Sequence, residues 1–228
     1  MIDIFEFSNL GESSLLVTTN KSEDRKKLNN VYKILESSKI DGLEDIIKTH
    51  SSIGLIFNAY KTTYNRVYKK VKESINKKAT SIEETKPTFW RIPICYDKEY
   101  GIDLKQISDK LKISIENVID LHQKNIYKVD MIGFLPGFIY MSNNNDKLYI
   151  SRKTTPRITI PEGSIGIARN QTGIYNLKSP GGWNIVGRTP KKLFDKKINP
   201  PVAIREGDII KFYEINKKKF KEIKGLSK

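Results

Sequence analysis

LHQKNIYKVDMIGFLPGFIYM (Leu121–Met141) and SPGGWNIVGRTP (Ser179–Pro190) bound the stretch, residues 122–190, whose reading decides the fold. It holds 8 of the 14 glycines, 5 of the 9 prolines and 4 of the 8 arginines, yet only three acidic residues. Elsewhere the basic charge is mostly lysine; here it is arginine beside rigid turns. Pro136-Gly137 and Pro180-Gly181 each read as the central pair of a type II turn, proline fixing φ and glycine accepting φ > 0. Gly182 has no side chain to keep a ligand or neighbouring strand away. Arg152, Arg157, Arg169 and Arg188 carry planar forks of N–H donors that match carboxylate and phosphate oxygens. The pattern predicts a concave anion site, with Arg152, Arg157 and Arg188 converging beside Gly182-Trp183. The same composition also fits a barrel whose corners need Gly and Pro and whose arginines are solvated.

Outward from this stretch, short β runs between Gly/Pro turns predict strands at 126–132, 147–150, 157–160, 164–168, 172–175, 184–187, 202–205 and 208–213. Many short, closely spaced strands suggest a closed barrel, with Gly137, Gly163 and Gly181 at its corners. Upstream, 103–112 and 114–125 read as two short helices with Leu104, Ile107, Leu111, Val118 and Leu121 apolar. That spacing imitates a DNA-binding helix-turn-helix. Glu116, Asn117 and Asp120 on the outward side of the second helix argue against it, because carboxylates facing phosphates are repelled. Before residue 96 the pattern reads ββαβαβ, with strands at 2–7, 14–18, 52–57 and 88–95. The first helix starts from a Ser22 cap and the second carries Tyr64, Val67, Val71 and Ile75 inward. The fold class is therefore α+β: a small N-terminal α+β domain (1–86), then a β-barrel domain (87–228). KATSIEETKP (78–87) reads as the linker, and the basic tail NKKKFKEIKGLSK as a fraying end.

The 228 residues carry 41 basic and 26 acidic side chains, a net charge of +15, with a mean hydropathy of −0.49. Such charge suits nucleic acid, but lysines spread along the whole chain more commonly mean a solvated surface. No specific nucleic-acid partner is expected. A single cysteine, Cys95, excludes an intrachain disulfide framework and a cysteine zinc cluster. No apolar run approaches the ~20 residues of a membrane span, and the N-terminus lacks a basic region before a hydrophobic core, so the chain reads as cytoplasmic.

Phosphate loop, dinucleotide fingerprint, HExxH and GxSxG are all absent. Of the two histidines, His50 and His122, the latter closes the second helix just before the barrel. Its imidazole could cap that helix or face the pocket. Phe134, Phe138, Tyr140, Tyr175 and Trp183 read mainly as core, with Trp183 the one expected at a pocket mouth. Arginine forks and backbone N–H groups can stabilise a developing oxyanion or phosphoryl group, but they are not a complete catalytic apparatus.

GFLPGFIY (133–140), SRKTTPRITIPEGSIGIA (151–168), QTGIYNLKSPGGW (171–183) and IVGRTP (185–190) resemble the signature blocks of one bacterial family. It comprises the B subunit of ATP-dependent 5-oxoprolinase, the sporulation-kinase inhibitor KipI and proteins labelled allophanate hydrolase subunit 1, built on a carboxyltransferase domain with subdomains C and D. Ser151 and Asn176 stand where the family usually has proline. The resemblance implies a cyclophilin-like barrel and a subunit that converts 5-oxoproline to glutamate with ATP, taken as Mg-ATP shared with a partner. On the reading of the residues themselves, the candidate catalytic groups are His122, Arg152, Arg157 and Arg188, the candidate binding residues are Gly137, Phe138, Tyr140, Gly181, Gly182 and Trp183, and no metal site is expected. Implied partners are the C subunit directly, the A subunit, and a small anionic substrate. The alternatives are a KipI-like inhibitor of a sensor histidine kinase and a urea-amidolyase-type carboxyltransferase subunit.

Overall fold

The structure, a computed structural model, describes residues 4–19, 25–78, 86–142 and 145–226. Its contacts divide the chain into two units, Met1–Thr85 and Lys86–Lys228. In the first, period-two alternation buries Leu15 and Val17 of β2 (Ser14–Thr18), which follows β1 (Glu6–Asn9). Helix α1 (Arg25–Glu36) buries Leu28, Val31 and Leu35 at helical spacing. Strands β3 (Leu43–Lys48) and β4 (Ser52–Phe57) come next, then α2 (Tyr64–Lys78), which buries Val67, Val71 and Ile75. The sheet is antiparallel in the order β1-β2-β4-β3, and its apolar face and both helices share one core.

The order here is ββαββα rather than ββαβαβ. Strand β3 escaped the sequence reading because Glu44 and Asp45 interrupt its apolar pattern. It is an edge strand with an irregularity between Leu43 and Asp45, where charge blunts further pairing. The strand expected at 88–95 belongs instead to the second unit. Ser22 and residues 79–85 of the expected linker lie outside the described residues.

The second unit runs β5 (Phe89–Ile94), α3 (Leu104–Leu111), α4 (Ile115–Lys124), β6 (Tyr127–Ile132), β7 (Ile139–Ser142), β8 (Arg157–Ile160), β9 (Ser164–Ala168), β10 (Gln171–Ile174), β11 (Ser179–Gly181), β12 (Asn184–Arg188), β13 (Ile209–Glu214) and α5 (Lys217–Leu226). Seven strands form one sheet in the order β12-β9-β10-β7-β6-β13-β5, with β11 and β8 a separate two-stranded ribbon. β5 runs parallel to β13, and as a terminal strand it tolerates Pro93. A bridge between Cys95 and Arg188 (N–H···O 2.9 and 3.0 Å) joins the sheet's two ends and nearly closes the barrel. Burial also pushes the Cys95 thiol pKa up, as an inert core cysteine requires.

The helix-turn-helix spacing is barrel cover. Lys112 turns the corner in the left-handed conformation (φ 55°), and Ser114 caps α4 by accepting from Asn117 N–H at 3.1 Å. Leu104, Ile107 and Val118 join the barrel core, while Glu116, Asn117 and Asp120 stay exposed. Two expected strands are not strands: 147–150 contains a 3-10 turn (Asp146–Leu148), and 202–205 buries Val202 and Ile204 without pairing. β7 and β11 are strands beyond those expected: β7 has only four residues directly after the Pro136-Gly137 turn, and β11 itself contains Pro180 and Gly181. The tail folds as α5, because Phe220 is buried and stacks on Tyr100 at 4.2 Å between ring centres. No helix among the described residues is long and apolar enough to cross a membrane.

Candidate functional site

Strand parity builds the site. In β7 and the residue before it, Ile139 and Met141 point into the barrel core, so Phe138 and Tyr140 point out the other side. The same alternation sends Ile174 inward and Tyr175 outward, then Val186 inward and Ile185 outward. The outer face thus carries its own aromatic cluster of Phe138, Tyr175 and Trp183, with Tyr140 packed against it.

A pair of glycines makes room for it. Tyr140, Gly173, Gly166 and Ile185 lie side by side across four strands. A Cβ on Gly173 would sit 2.6 Å from Phe138 Cζ and 2.9 Å from Trp183 Cζ3; one on Gly166 would sit 2.9 Å from Trp183 Cβ. The bare strands form a trough into which the rings drop, edge-to-face: Phe138–Tyr175 at 4.8 Å, Phe138–Trp183 at 5.6 Å, Tyr140–Trp183 at 5.8 Å. Trp183 is 5% exposed, so it floors the site rather than lining a mouth.

The ribbon of β8 and β11 lies against this cluster through Ile160. The loop that leads into it, 151–157, delivers the cations. Arg152 is exposed, its guanidinium carbon 5.7 Å from the Trp183 ring centre, and it has no hydrogen-bond or ion-pair partner among the described residues. Arg157 is committed. Its two terminal nitrogens donate to the two Asp103 oxygens at 2.9 and 2.6 Å. Lys153 Nζ reaches Asp103 Oδ1 at 2.9 Å, and Ile185 N–H donates to Asp103 Oδ2 at 2.7 Å. Burial alone would raise the Asp103 carboxyl pKa; the bonds from Arg157, Lys153 and Ile185 and the Arg157 charge outweigh it and hold it below the usual carboxylate range. Asp103 therefore stays ionised. Sequence reading passed over it as a helix start, and only its place before an apolar helix hinted at more.

The three arginines do not converge. Arg188 lies at the other end of β12 from Trp183, about 16 Å along an extended strand of five steps. There its Nε donates to Glu162 O at 2.6 Å, and its backbone closes the barrel. Burial lowers its pKa, opposed by Glu162, Tyr100 and Glu99. His122 is farther still from the expected role. It is fully buried, stacked on Phe212 at 5.0 Å, with Nδ1 2.7 Å from the Tyr96 hydroxyl. Burial pulls its pKa down to about 3, so the ring stays neutral. The imidazole caps nothing; Tyr127 Oη (3.0 Å to His122 O) and Lys211 Nζ (2.6 Å to Lys124 O) satisfy the carbonyls at the end of α4.

The turns also divide. Phe138 N–H bonds Leu135 O at 3.0 Å around Gly137 at φ 78°, as a type II turn requires. Gly181 instead belongs to β11 opposite Arg157, and a side chain there would strike the Tyr175 hydroxyl. A Cβ on Gly182 meets nothing nearer than Lys153 O at 3.6 Å, so close approach is needed at Gly181, not Gly182. Gly163, at φ 82°, is the remaining expected corner, between β8 and β9.

Chemically, the arrangement offers one free guanidinium fork over an indole, plus two tyrosines. Burial pushes Tyr175 up to about 12, against a backbone hydrogen bond from Trp183, so it remains a neutral hydroxyl near neutral pH. Burial raises Tyr140 likewise, with Arg152 opposing. The cluster can bind an oxyanion but contains no group to take a proton from water. No group of three His, Cys, Asp or Glu side chains able to hold a metal occurs among the described residues.

The profile of the carboxyltransferase domain, subdomain C and D, fits residues 5–204. The B subunit of 5-oxoprolinase from Bacillus subtilis (strain 168) is 32% identical over 230 residues, covering 95% of both chains. The crystal structure of TTHA0988 superposes with a TM-score of 0.73 at 28% identity over 90% of this chain, which spans 40% of that longer chain. Kluyveromyces lactis urea amidolyase shares the fold, with a TM-score of 0.77 at 17% identity over 96% of this chain and 15% of its own.

Proposed function

The chain belongs to the carboxyltransferase domain, subdomain C and D, family, and on that premise we propose that it is the B subunit of an ATP-dependent 5-oxoprolinase. The observation that carries this is the end-to-end match with the B subunit of Bacillus subtilis 5-oxoprolinase. The reaction transfers the γ-phosphoryl of ATP to the lactam oxygen of 5-oxoproline. Water then adds to the activated carbon, the ring C–N bond breaks, and glutamate, ADP and phosphate leave. This chain's part is to bind an anionic group, substrate carboxylate or phosphoryl oxygen, on the Arg152 fork. The Trp183 face below it excludes water and strengthens that contact. Tyr175, buried and held neutral, walls the cluster and supplies no proton.

The cluster fits half of an ATP-handling site. It supplies a cation and an apolar wall but neither a phosphate loop nor a base, so a partner chain completes it, C by direct contact and A downstream. The recurrence of this fold as a part of longer chains supports a unit that works against further polypeptide. The purified chain alone should show negligible 5-oxoproline-dependent ATP hydrolysis, restored on mixing with its A and C counterparts. A mixture that stays inactive, while this chain alone blocks autophosphorylation of a sensor histidine kinase, would transfer the assignment to the KipI-like reading.

A further inference from the structure

We propose that Asp103 is a positioning residue for Arg152, a role that the family resemblance did not point to and that rests on Arg152 being the anion-binding group. Asp103 sits at the start of α3, 3% exposed at its side chain, and ties three pieces of chain together. To β12 it makes a two-point bond, Asp103 N–H to Ile185 O at 3.0 Å and Ile185 N–H to Asp103 Oδ2 at 2.7 Å. To the start of β8 it offers both oxygens to Arg157. To the loop between it holds Lys153, whose Nζ also donates to Gln106 one turn further along α3. Lys153 N–H then bonds Gly182 O at 2.8 Å, beside Trp183.

Two consequences follow for Arg152, the residue next to Lys153. Its backbone is fixed against the short connection between β11 and β12 that carries Trp183, so its fork is held over the indole. Its two basic neighbours are also engaged by the one buried carboxylate, which leaves Arg152 the unpaired guanidinium of the loop. A free anion therefore meets one oriented fork rather than a diffuse positive patch.

A double-substitution cycle between the two residues, read from the near-UV circular dichroism of the tryptophans, tests this on the full chain without any ligand. Arg152→Gln should change the indole band. Asp103→Asn should produce the same loss, with Arg152→Gln adding nothing further in that background, and Asp103→Glu should restore the coupling. Additive effects, or a wild-type band in a merely less stable Asp103→Asn chain, would overturn the proposal. If Asp103→Asn does not fold, Lys153→Gln leaves the Asp103–Arg157 pair in place and should still blunt the effect of Arg152→Gln; full additivity there would be equally fatal. In the reconstituted enzyme Asp103→Asn should lower kcat at least 10-fold while KM for ATP rises less than 3-fold, because positive charge near the site is freed as geometry is lost. A wild-type mixture without activity would sink the 5-oxoprolinase reading and leave the spectroscopic cycle to decide the positioning role.

Discussion

His122 and Asp103 are both buried titratable groups, and opposite surroundings give them opposite behaviour. Asp103 has two cations and an amide to stabilise its charge; His122 has aromatic rings and one hydroxyl, so only its neutral form is tolerated. Its folded pKa, about 3, lies below the ordinary 6.5. As pH falls below about 6.5 the unfolded chain takes up a proton that the native chain refuses, and stability declines by about 1.4 kcal/mol per pH unit at full slope. His122→Gln removes the titrating ring. The difference in unfolding free energy between wild type and variant should change over pH 6.5 to 5, measured by denaturant titration; a pH-independent difference would contradict a buried neutral imidazole. Asp103 works the other way along the scale, stabilising above the ordinary carboxylate pKa of 3.8 and losing that contribution as pH falls through its depressed folded value.

At the scale of elements, the aromatic trough depends on two strands lacking side chains at neighbouring positions. Gly173→Ala should push Phe138 and Trp183 out of the sheet and cost about 1–3 kcal/mol, the usual penalty of overpacking a filled core. Its melting temperature and tryptophan emission should both shift; an unchanged melt would mean the rings have slack that the geometry denies. These glycines were readable only in part. SIGIA and QTGI alternate as strands should, and glycine inside a strand signals close approach, yet which ring fills the gap depends on cross-strand register, which no local pattern contains. The barrel, its turn at Pro136-Gly137 and the helices α3 and α4 were legible because periodicity and turn chemistry are local. Charged edge strand β3, the helix at Lys217–Leu226 and the Asp103 clamp were not. Glu44 and Asp45 hide the first by breaking its apolar alternation, while the other two depend on distant partners, Tyr100 for the helix and Lys153 and Arg157 for the clamp. Sequence grouped Arg152, Arg157 and Arg188 by type; the fold separates them by what each touches.

For the whole molecule, a net charge of +15 carried mainly by lysine sets a general attraction for anions, on which a specific site must be superimposed. What distinguishes that site is orientation. The direct test compares Arg152→Lys with Arg188→Lys in the chain reconstituted with its A and C counterparts, reading 5-oxoproline-dependent ATP hydrolysis. Both changes keep the charge and lose the fork. Arg152→Lys should cost about 10²-fold in kcat/KM, the scale of one lost oriented donor, with melting unchanged; Arg188→Lys should lower the melting temperature through Glu162 and leave kcat/KM within about 3-fold, since a loss of 1.4 kcal/mol already means tenfold. Full activity in Arg152→Lys together with its collapse in Arg188→Lys would contradict the account, placing the chemistry at the barrel seam instead of over Trp183.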